Sequence, residues 1–357
     1  MDQETARALF NEGAFLLLFD VPEGTEFGID WNNWTTGPLF KGVKMIPPGV
    51  HFVFYNAVSK FDGNPAPRTG FFHDFRPHEI MVKQWNNSSE EIVDKPMTEE
   101  EISSLRQNLQ NLDKNLAAYP YDNLKKWVSM ANFITPNLVQ KLSPENKVIY
   151  SVLELLPHSE VDSDMSSHAS KTDKDGLPNM KANPMSVIRF TNMPDKWYPE
   201  GASPSDISKH CMDSSYILDI VMKTYNHPNE FLGELQFTFI CFILGQVFDA
   251  FEHWKEMVRL ISFCETSLQD HLSLFSSLVG VLYHQINEIP QDFFVDIVTA
   301  NNFLVGTLTT LFSSIEFSCF DEDLQKRAKQ FRKYLTKKFK WKFNKEPDDW
   351  APVVVEM

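Results

Sequence analysis

Cysteines are scarce in this chain of 357 residues, which contains only four of them. Their wide separation provides neither the paired spacing of a zinc site nor that of a redox motif. We interpret them as buried free thiols of a protein in a reducing compartment. They are Cys211, Cys241, Cys264 and Cys319.

Long apolar segments are also lacking. The N-terminus has no basic segment followed by an apolar one, so we expect no secretory signal. The longest apolar stretch, residues 231–251, is interrupted by Glu234, Gln236, Gln246 and Asp249, which argues against a bilayer span. We therefore expect a soluble intracellular protein.

Catalytic and nucleotide-binding motifs are missing as well. The sequence contains no GxxxxGK, no GxGxxG after a strand, no GxSxG and no HExxH. His73 and His78 lack the further ligands that zinc requires, and Asp162-x-Asp164 lacks the glycine and terminal glutamate of a calcium loop. We predict no catalytic residues, no metal and no cofactor.

Two histidines leave an enzymatic alternative open. His51 lies in the apolar run Val50–Tyr55 without a carboxylate nearby in sequence, and we interpret it as a structural histidine. His210 and Cys211 are neighbours on a predicted helix, where adjacent side chains do not face each other. We interpret the pair as a packed histidine and a buried thiol. A hydrolase that uses His51 or the His210/Cys211 pair remains the alternative.

Basic residues are outnumbered, with 33 Lys and Arg against 48 Asp and Glu, a formal net charge of −15. This balance argues against a general nucleic-acid-binding surface. One segment departs from it, because residues 326–340 are rich in lysine and arginine interleaved with apolar residues. We interpret the segment as an amphipathic helix with solvated charges; a nucleic-acid footprint is the alternative.

What is present indicates an α+β protein with two domains. Short apolar runs between Pro-, Gly- and Asn-bearing turns predict a β-sandwich-like N-terminal domain. Bulky groups on both faces of Val50–Tyr55 predict a strand covered on both sides. The predicted strands are Ala14–Phe19, Val50–Tyr55, Gly70–Phe72 and Ile80–Trp85.

Helices follow from residue 97 onward. Thr98 and Glu101 form a predicted capping box before an apolar stripe, and we expect further helices at Asn123–Phe133 and from Ser143-Pro144. Beyond a polar linker, Ser203-Pro204 starts a helical domain of paired helices, with turns near Gly245-Gln246 and Glu288–Pro290. The predicted regions are 1–156 (β-rich with appended helices), 157–185 (flexible linker), 186–345 (α-helical) and 346–357 (tail).

The tail ends in Pro352, Val353, Val354, Val355 and Glu356, a short strand-forming segment after an acidic spacer. This segment can pair with the protein's own first domain, or it can add to a sheet edge of another protein. The sequence favours neither. A helical scaffold that binds peptide motifs is a third interpretation of the chain.

The chain resembles the Aar-two splicing-factor family over nearly its whole length, except for the linker. The motifs that carry the resemblance are GTEFGIDWNNW, GVKMIPPGVHF, YPYDNLKKWVSMANFI, YPEGASPSDISKHCMD, LGELQF, AFEHWK, LYHQINEIPQDFFVDIV, LTKKFKWKF and EPDDWAPVVVE. The resemblance implies a non-enzymatic assembly factor of the spliceosomal U-five small nuclear ribonucleoprotein. It also implies a β-sandwich-like domain, a mobile linker and a helical domain similar to VHS domains.

Partners are likewise implied by the resemblance. Family members bind the RNase H-like and Jab/MPN-like C-terminal domains of Prp-eight until the helicase Brr-two replaces them. The tail strand would lie between those two domains and would correspond here to Pro352–Glu356. We expect a monomer in the cytoplasm and nucleus, with no membrane and no direct nucleic acid among its partners.

Overall fold

The computed structural model of the chain describes residues 2–58, 63–157, 180–289 and 303–343. These residues form two compact units. The first comprises the chain up to Arg189 together with Ile240–Phe248, and the second comprises Phe190–Phe239 and the described residues from Asp249 onward. The first is built mainly of strands and the second of helices, which confirms the predicted α+β class. Among the described residues, no helix is long and apolar enough to cross a membrane.

Two five-stranded sheets make up most of the first unit. Their orders are β8-β7-β1-β4-β9 and β10-β6-β5-β2-β3, and all four predicted strands are confirmed. The strands are β1 (Ala14–Phe19), β2 (Glu26–Ile29), β3 (Asn32–Thr35), β4 (Gly42–Ile46), β5 (Gly49–Asn56), β6 (Thr69–Phe75), β7 (Ile80–Asn86), β8 (Glu91–Asp94), β9 (Ala117–Ala118) and β10 (Ile149–Tyr150).

The sheets share one apolar core, as in a sandwich. Leu16 and Leu18 of one sheet belong to the same buried cluster as Phe27 and Val53 of the other. Alternation along β1 places Phe15 on the opposite face, in a second cluster. Strand β1 is therefore buried on both faces, which explains why Ala14–Phe19 contains no polar residue.

Four helices accompany the strands in the described part of the first unit. They are α1 (Gln3–Glu12), α2 (Glu99–Leu112), α3 (Leu124–Ala131) and α4 (Pro136–Leu142). Leu109 of α2 and Leu116 pack in the cluster that contains Phe15. The capping box is confirmed: Glu101 N donates to Thr98 Oγ1 at 3.2 Å, and Thr98 N donates to Glu101 Oε2 at 2.8 Å.

The prediction of a helix that starts at Ser143-Pro144 is wrong. Helix α4 instead begins after Thr135, whose hydroxyl accepts from Leu138 N at 3.2 Å, and Ser143 is its C-terminal cap. Thr135-Pro136 and Ser143-Pro144 carry the same start signal. The residues that follow each signal determine whether a helix forms. Leu138 and Leu142 are buried after Thr135-Pro136, whereas residues 145–147, which follow Ser143-Pro144, are polar and exposed.

The predicted linker, 157–185, lies mainly outside the described residues, as do Asp162 and Asp164. Strands β11 (Leu155–Pro157) and β12 (Met180–Ala182) pair in antiparallel fashion on either side of that gap.

The helices that follow along the chain are α5 (Pro204–Met212), α6 (Ser215–Met222), α7 (Asn229–Ile243), α8 (Phe248–Ser262), α9 (Leu272–Glu288), α10 (Phe303–Ser318) and α11 (Glu322–Phe339). Two predictions are confirmed: Ser203 caps α5, and the chain turns at Gly245-Gln246 between α7 and α8. The second predicted turn begins where α9 ends, and residues 290–302 lie outside the described residues.

A buried tryptophan joins helices of the second unit. Trp254 of α8 is fully buried, and its Nε1 donates to Gln285 Oε1 of α9 at 2.9 Å. Gln285 Nε2 in turn donates to Leu235 O of α7 at 3.0 Å. Because a buried amide is costly unless it is hydrogen-bonded, these contacts fix the relative positions of the three helices.

Candidate functional site

His51 lies inside the sandwich on β5, with only 2% of its surface exposed. Its Nδ1 lies 2.7 Å from Asp30 Oδ2, and its Nε2 lies 2.9 Å from Pro47 O. Asp30 also accepts from Phe52 N at 3.0 Å and from the Tyr119 hydroxyl at 2.6 Å. The histidine and the carboxylate are thus enclosed in one hydrogen-bonded cluster.

This geometry leaves His51 without a catalytic nitrogen. Both ring nitrogens are therefore within hydrogen-bond distance of an oxygen of the protein itself, Asp30 Oδ2 or Pro47 O, and neither is free to reach a substrate. The Trp127 ring stacks on the imidazole at 6.0 Å, and the Phe75 ring meets it edge-on at 5.9 Å. Burial raises the pKa of the neighbouring Tyr119, and the charge of Asp30 raises it further. The cluster stabilises the fold, in agreement with a structural histidine.

His73 and His78, the residues considered for zinc, have separate partners. His73 Nε2 lies 2.8 Å from Glu79 Oε1, whereas His78 Nδ1 donates to Asn11 O on a different segment. Within the described ranges, no group of three or more His, Cys, Asp or Glu could hold a metal ion.

His210 and Cys211 lie on α5, where no residue is buried. His210 contacts the Tyr216 ring at 5.2 Å, and Cys211 is exposed. The prediction of a buried thiol is therefore wrong for Cys211, because α5 has no face that could bury it. It is confirmed for Cys241, Cys264 and Cys319, and burial raises the pKa of the first two thiols.

A second buried polar cluster surrounds Glu234 on α7, in the second unit. Oε1 accepts from Thr191 N at 2.7 Å and faces His253 Nε2 at 2.9 Å. Oε2 accepts from Thr191 Oγ1 at 2.7 Å and from the Tyr225 hydroxyl at 2.9 Å. In the sequence, Glu234 is a single charged residue within an apolar stretch. Its hydrogen-bond partners come from three other segments and could not be predicted from that pattern.

The Glu234 carboxylate is stabilised in its charged form. Burial alone would raise its pKa, but the hydrogen bonds from His253 and from the Thr191 amide and hydroxyl outweigh burial and hold the pKa below its ordinary value. With both carboxylate oxygens hydrogen-bonded and Glu234 itself fully buried, this cluster fixes the segment around Thr191 to α7 and α8.

The C-terminal end of α10 and the turn that follows it present two phenylalanines to solvent. Phe317 is 83% exposed and Phe320 is 87% exposed, the highest values among the large apolar side chains of the described residues. Such side chains are normally buried, and an exposed aromatic pair is typical of an interaction site.

Hydrogen bonds hold that turn in place. Gln269 Nε2 donates to Ser318 O at 2.6 Å, and Ser318 Oγ donates to Glu265 Oε1 at 2.6 Å. Gln325 Nε2 donates to Cys319 O at 2.9 Å. Cys319, which lies between the two phenylalanines in sequence, has a buried side chain. The aromatic pair therefore projects from a fixed backbone. We call residues 317–320 the aromatic turn.

The sequence-predicted binding strand, Pro352, Val353, Val354, Val355 and Glu356, lies outside the described residues. Its pairing remains a prediction.

Comparison with known proteins identifies the family. A family model described as the AAR2 N-terminal domain matches residues 12–144, and one described as the AAR2 C-terminal repeat region matches residues 190–344. This chain belongs to the AAR2 family. The two matched regions correspond to the strand-rich and helical parts of the fold.

Several AAR2 relatives align along almost their whole length. The human protein AAR2 homolog is 44% identical over 374 residues, covering 100% of this chain and 97% of the relative. The Caenorhabditis elegans homolog is 39% identical over 355 residues, covering 94% and 96%. A Saccharomyces cerevisiae relative, named A1 cistron-splicing factor AAR2, is 22% identical over 264 residues, covering 71% and 70%.

Proposed function

We propose that this chain is a non-enzymatic splicing factor that acts by binding protein partners during assembly of the U-five small nuclear ribonucleoprotein. Its partners are the RNase H-like and Jab/MPN-like C-terminal domains of Prp-eight. By occupying them, it keeps Brr-two and RNA away until the particle matures. The AAR2 family match along the chain carries this proposal, and the name of the yeast relative supports it. The protein works as a monomer in the cytoplasm and nucleus.

The buried clusters favour binding over hydrolysis. His51 has both ring nitrogens within hydrogen-bond distance of oxygens of the protein itself and is 2% exposed, so a substrate cannot reach it as a general base requires. His210 and Cys211 are adjacent on one helix, and no hydrogen bond joins their side chains in the described structure. A general base and its nucleophile must lie within hydrogen-bond reach of each other.

The aromatic turn fits a protein partner. Two exposed aromatic side chains on a fixed backbone bring large contact area with little ordering cost on binding. The flanking side chains are acidic: Glu316 precedes the turn, and Asp321, Glu322 and Asp323 follow it. We propose that this turn docks into an apolar pocket of the partner that is rimmed by cationic side chains.

The tail supplies the second contact in this proposal. Val353, Val354 and Val355 would add as a strand to a sheet edge of one partner domain and hold the two domains together. Main-chain hydrogen bonds give such a contact affinity that depends little on the partner's side chains.

Calorimetric titration with the two purified Prp-eight domains tests this function. We expect the full chain to bind both domains and a chain that ends at residue 345 to form a weaker ternary complex with an unchanged melting temperature. Equal affinity for the two chains would reject the tail contact. Absence of binding by the full chain would reject the function.

A further inference from the structure

Helix α11 separates its apolar and charged residues cleanly. Its buried residues are Leu324, Ala328, Phe331 and Leu335, which recur every three or four positions and form one stripe. The apolar face of α11 is therefore packed inside the helical unit. The opposite face is exposed to solvent along the helix.

That exposed face is strongly cationic. Its charged residues are Lys326, Arg327, Lys329, Lys333 and Lys337 on the helix, followed by Lys340 at the C-terminal cap and Lys342 just beyond it, all exposed. We call this set the basic face. The first turn contains Glu322 and Asp323, but no acidic residue occurs from Leu324 to Phe343.

Few carboxylates neutralise the basic face. Asp323 pairs with Arg327 at 2.8 Å, and Glu316 of α10 pairs with Arg332 beside the basic face at 3.5 Å. None of the six lysines has an ion pair within the described part of the chain. These six lysines, without an ion pair in the described structure, stand out on a chain with a formal net charge of −15.

The basic face lacks the features of a protein-binding surface. Lys326 and Lys340 are 14 residues apart, about 21 Å along a helix at 1.5 Å per residue. No large apolar side chain is exposed between them in the described structure. Protein interfaces depend on buried aromatic or aliphatic anchors, whereas a phosphate backbone is bound by cations alone.

A membrane surface is also a poor match. An amphipathic helix that binds lipid inserts its apolar face between the acyl chains. Here that face is buried in the protein core, at Phe331 and Leu335 among others.

We propose that the basic face of α11 binds the phosphate backbone of RNA without regard to sequence. Lysine supplies flexible point charges that suit phosphates, and the absence of exposed aromatic rings on this face predicts no base stacking. The acidity of the rest of the surface does not prevent binding, because charges are screened beyond about 8 Å at physiological salt. This contact is additional to the proposed binding of Prp-eight. The choice of RNA over other polyphosphates rests on the splicing function.

Fluorescence anisotropy with a labelled oligouridylate and the full chain tests the proposal. If about four cations contact phosphates of a single strand, affinity falls about 50-fold between 50 and 200 mM salt. The triple variant K329E/K333E/K337E should weaken binding at least about tenfold and flatten the salt dependence. The variant K329R/K333R/K337R keeps the charge and should bind as the wild type does.

A charge-matched control variant distinguishes the effect of this helix on RNA binding from the effect of the protein's net charge. K125E/K196E/K223E makes the same change of net charge at exposed lysines on other elements and should leave RNA binding within about threefold of wild type. Equal loss in the two glutamate variants, or no wild-type binding at 50 mM salt, would overturn the proposal. If polyglutamate added at equal total charge displaced the RNA, the basic face would instead be assigned to the binding of an acidic protein segment. Titration of K329E/K333E/K337E with the Prp-eight domains should show unchanged affinity, so the two proposals fail independently.

Discussion

His51 and Asp30 form a buried pair, with Nδ1 and Oδ2 2.7 Å apart and each side chain 2% exposed. Asp30 is the first residue of the turn after β2 and has left-handed backbone geometry, with a φ of 52°; its carboxylate faces β5 and accepts from Phe52 N. The pair links β2 and β5 from inside the sandwich, and the Tyr119 hydroxyl adds the segment that precedes α3.

Removing either member of this pair should destabilise the N-terminal unit strongly. We expect His51→Ala or Asp30→Asn to lower the free energy of unfolding by about 3–5 kcal/mol, because the remaining partner stays buried without compensation. Urea unfolding followed by tryptophan fluorescence measures the change. Glu23→Gln, at an exposed carboxylate of the same domain, should cost at most about 0.5 kcal/mol. A similar small cost for Asp30→Asn would contradict the cluster.

Glu234 should make the helical unit sensitive to acid. Its pKa is lowered in the folded protein, so the unfolded chain binds its proton more readily. Stability from this group is therefore complete above the unfolded pKa, near 4.5, and is lost as the pH falls through the lower folded value.

Urea titrations at pH 7, 5 and 3 detect this loss. Glu234→Gln should be less stable than wild type at pH 7, since the amide cannot accept at all four contacts, and its stability should decline less between pH 5 and pH 3. Asp249→Asn on α8, at an exposed carboxylate outside the cluster, should keep the wild-type pH dependence. Parallel curves for wild type and Glu234→Gln would count against the assignment.

The Thr98 cap gives a local stability prediction. Thr98→Ala should cost about 1 kcal/mol, because the Glu101 amide loses its acceptor at the start of α2. Ser103→Ala, at an exposed position within the same helix, should be neutral or slightly stabilising. Guanidinium unfolding of the two variants measures the difference, and an equal effect of both changes would exclude the cap.

The aromatic turn should matter for partner binding and little for folding. F317A/F320A should leave the free energy of unfolding within about 0.5 kcal/mol, because both rings are already in water. Affinity for the Prp-eight domains should fall more than about tenfold if the rings are binding hot spots. Calorimetric titration checks this, with Leu39→Ala, at a 68% exposed leucine, as the control. Unchanged affinity in F317A/F320A would remove the turn from the interface.

Local signals in the sequence predicted much of the fold. The runs Ala14–Phe19 and Val50–Tyr55 identified strands because their burial is encoded by consecutive apolar residues. Thr98 and Glu101 identified a helix start because both partners of the cap are close in sequence. Ser143-Pro144 led to a wrong helix prediction, because a capping residue followed by proline starts a helix only where an apolar stripe follows.

The buried polar clusters could not be predicted in this way. Asp30 and His51 are 21 residues apart, and Thr191 and Glu234 are 43 apart, so the fold alone brings them together. The exposure of Cys211 also depends on tertiary packing, because residue type alone favours burial. The aromatic turn was missed for the same reason, since phenylalanine in a sequence normally indicates core.

Affinity purification of the tagged full chain from a cell extract, with identification of the co-purifying proteins by mass spectrometry, tests the central claim most directly. The proposed function predicts that Prp-eight and other U-five proteins are recovered with the wild type and that Prp-eight recovery falls for a chain that ends at residue 345. Recovery of no spliceosomal protein with the wild type would contradict it.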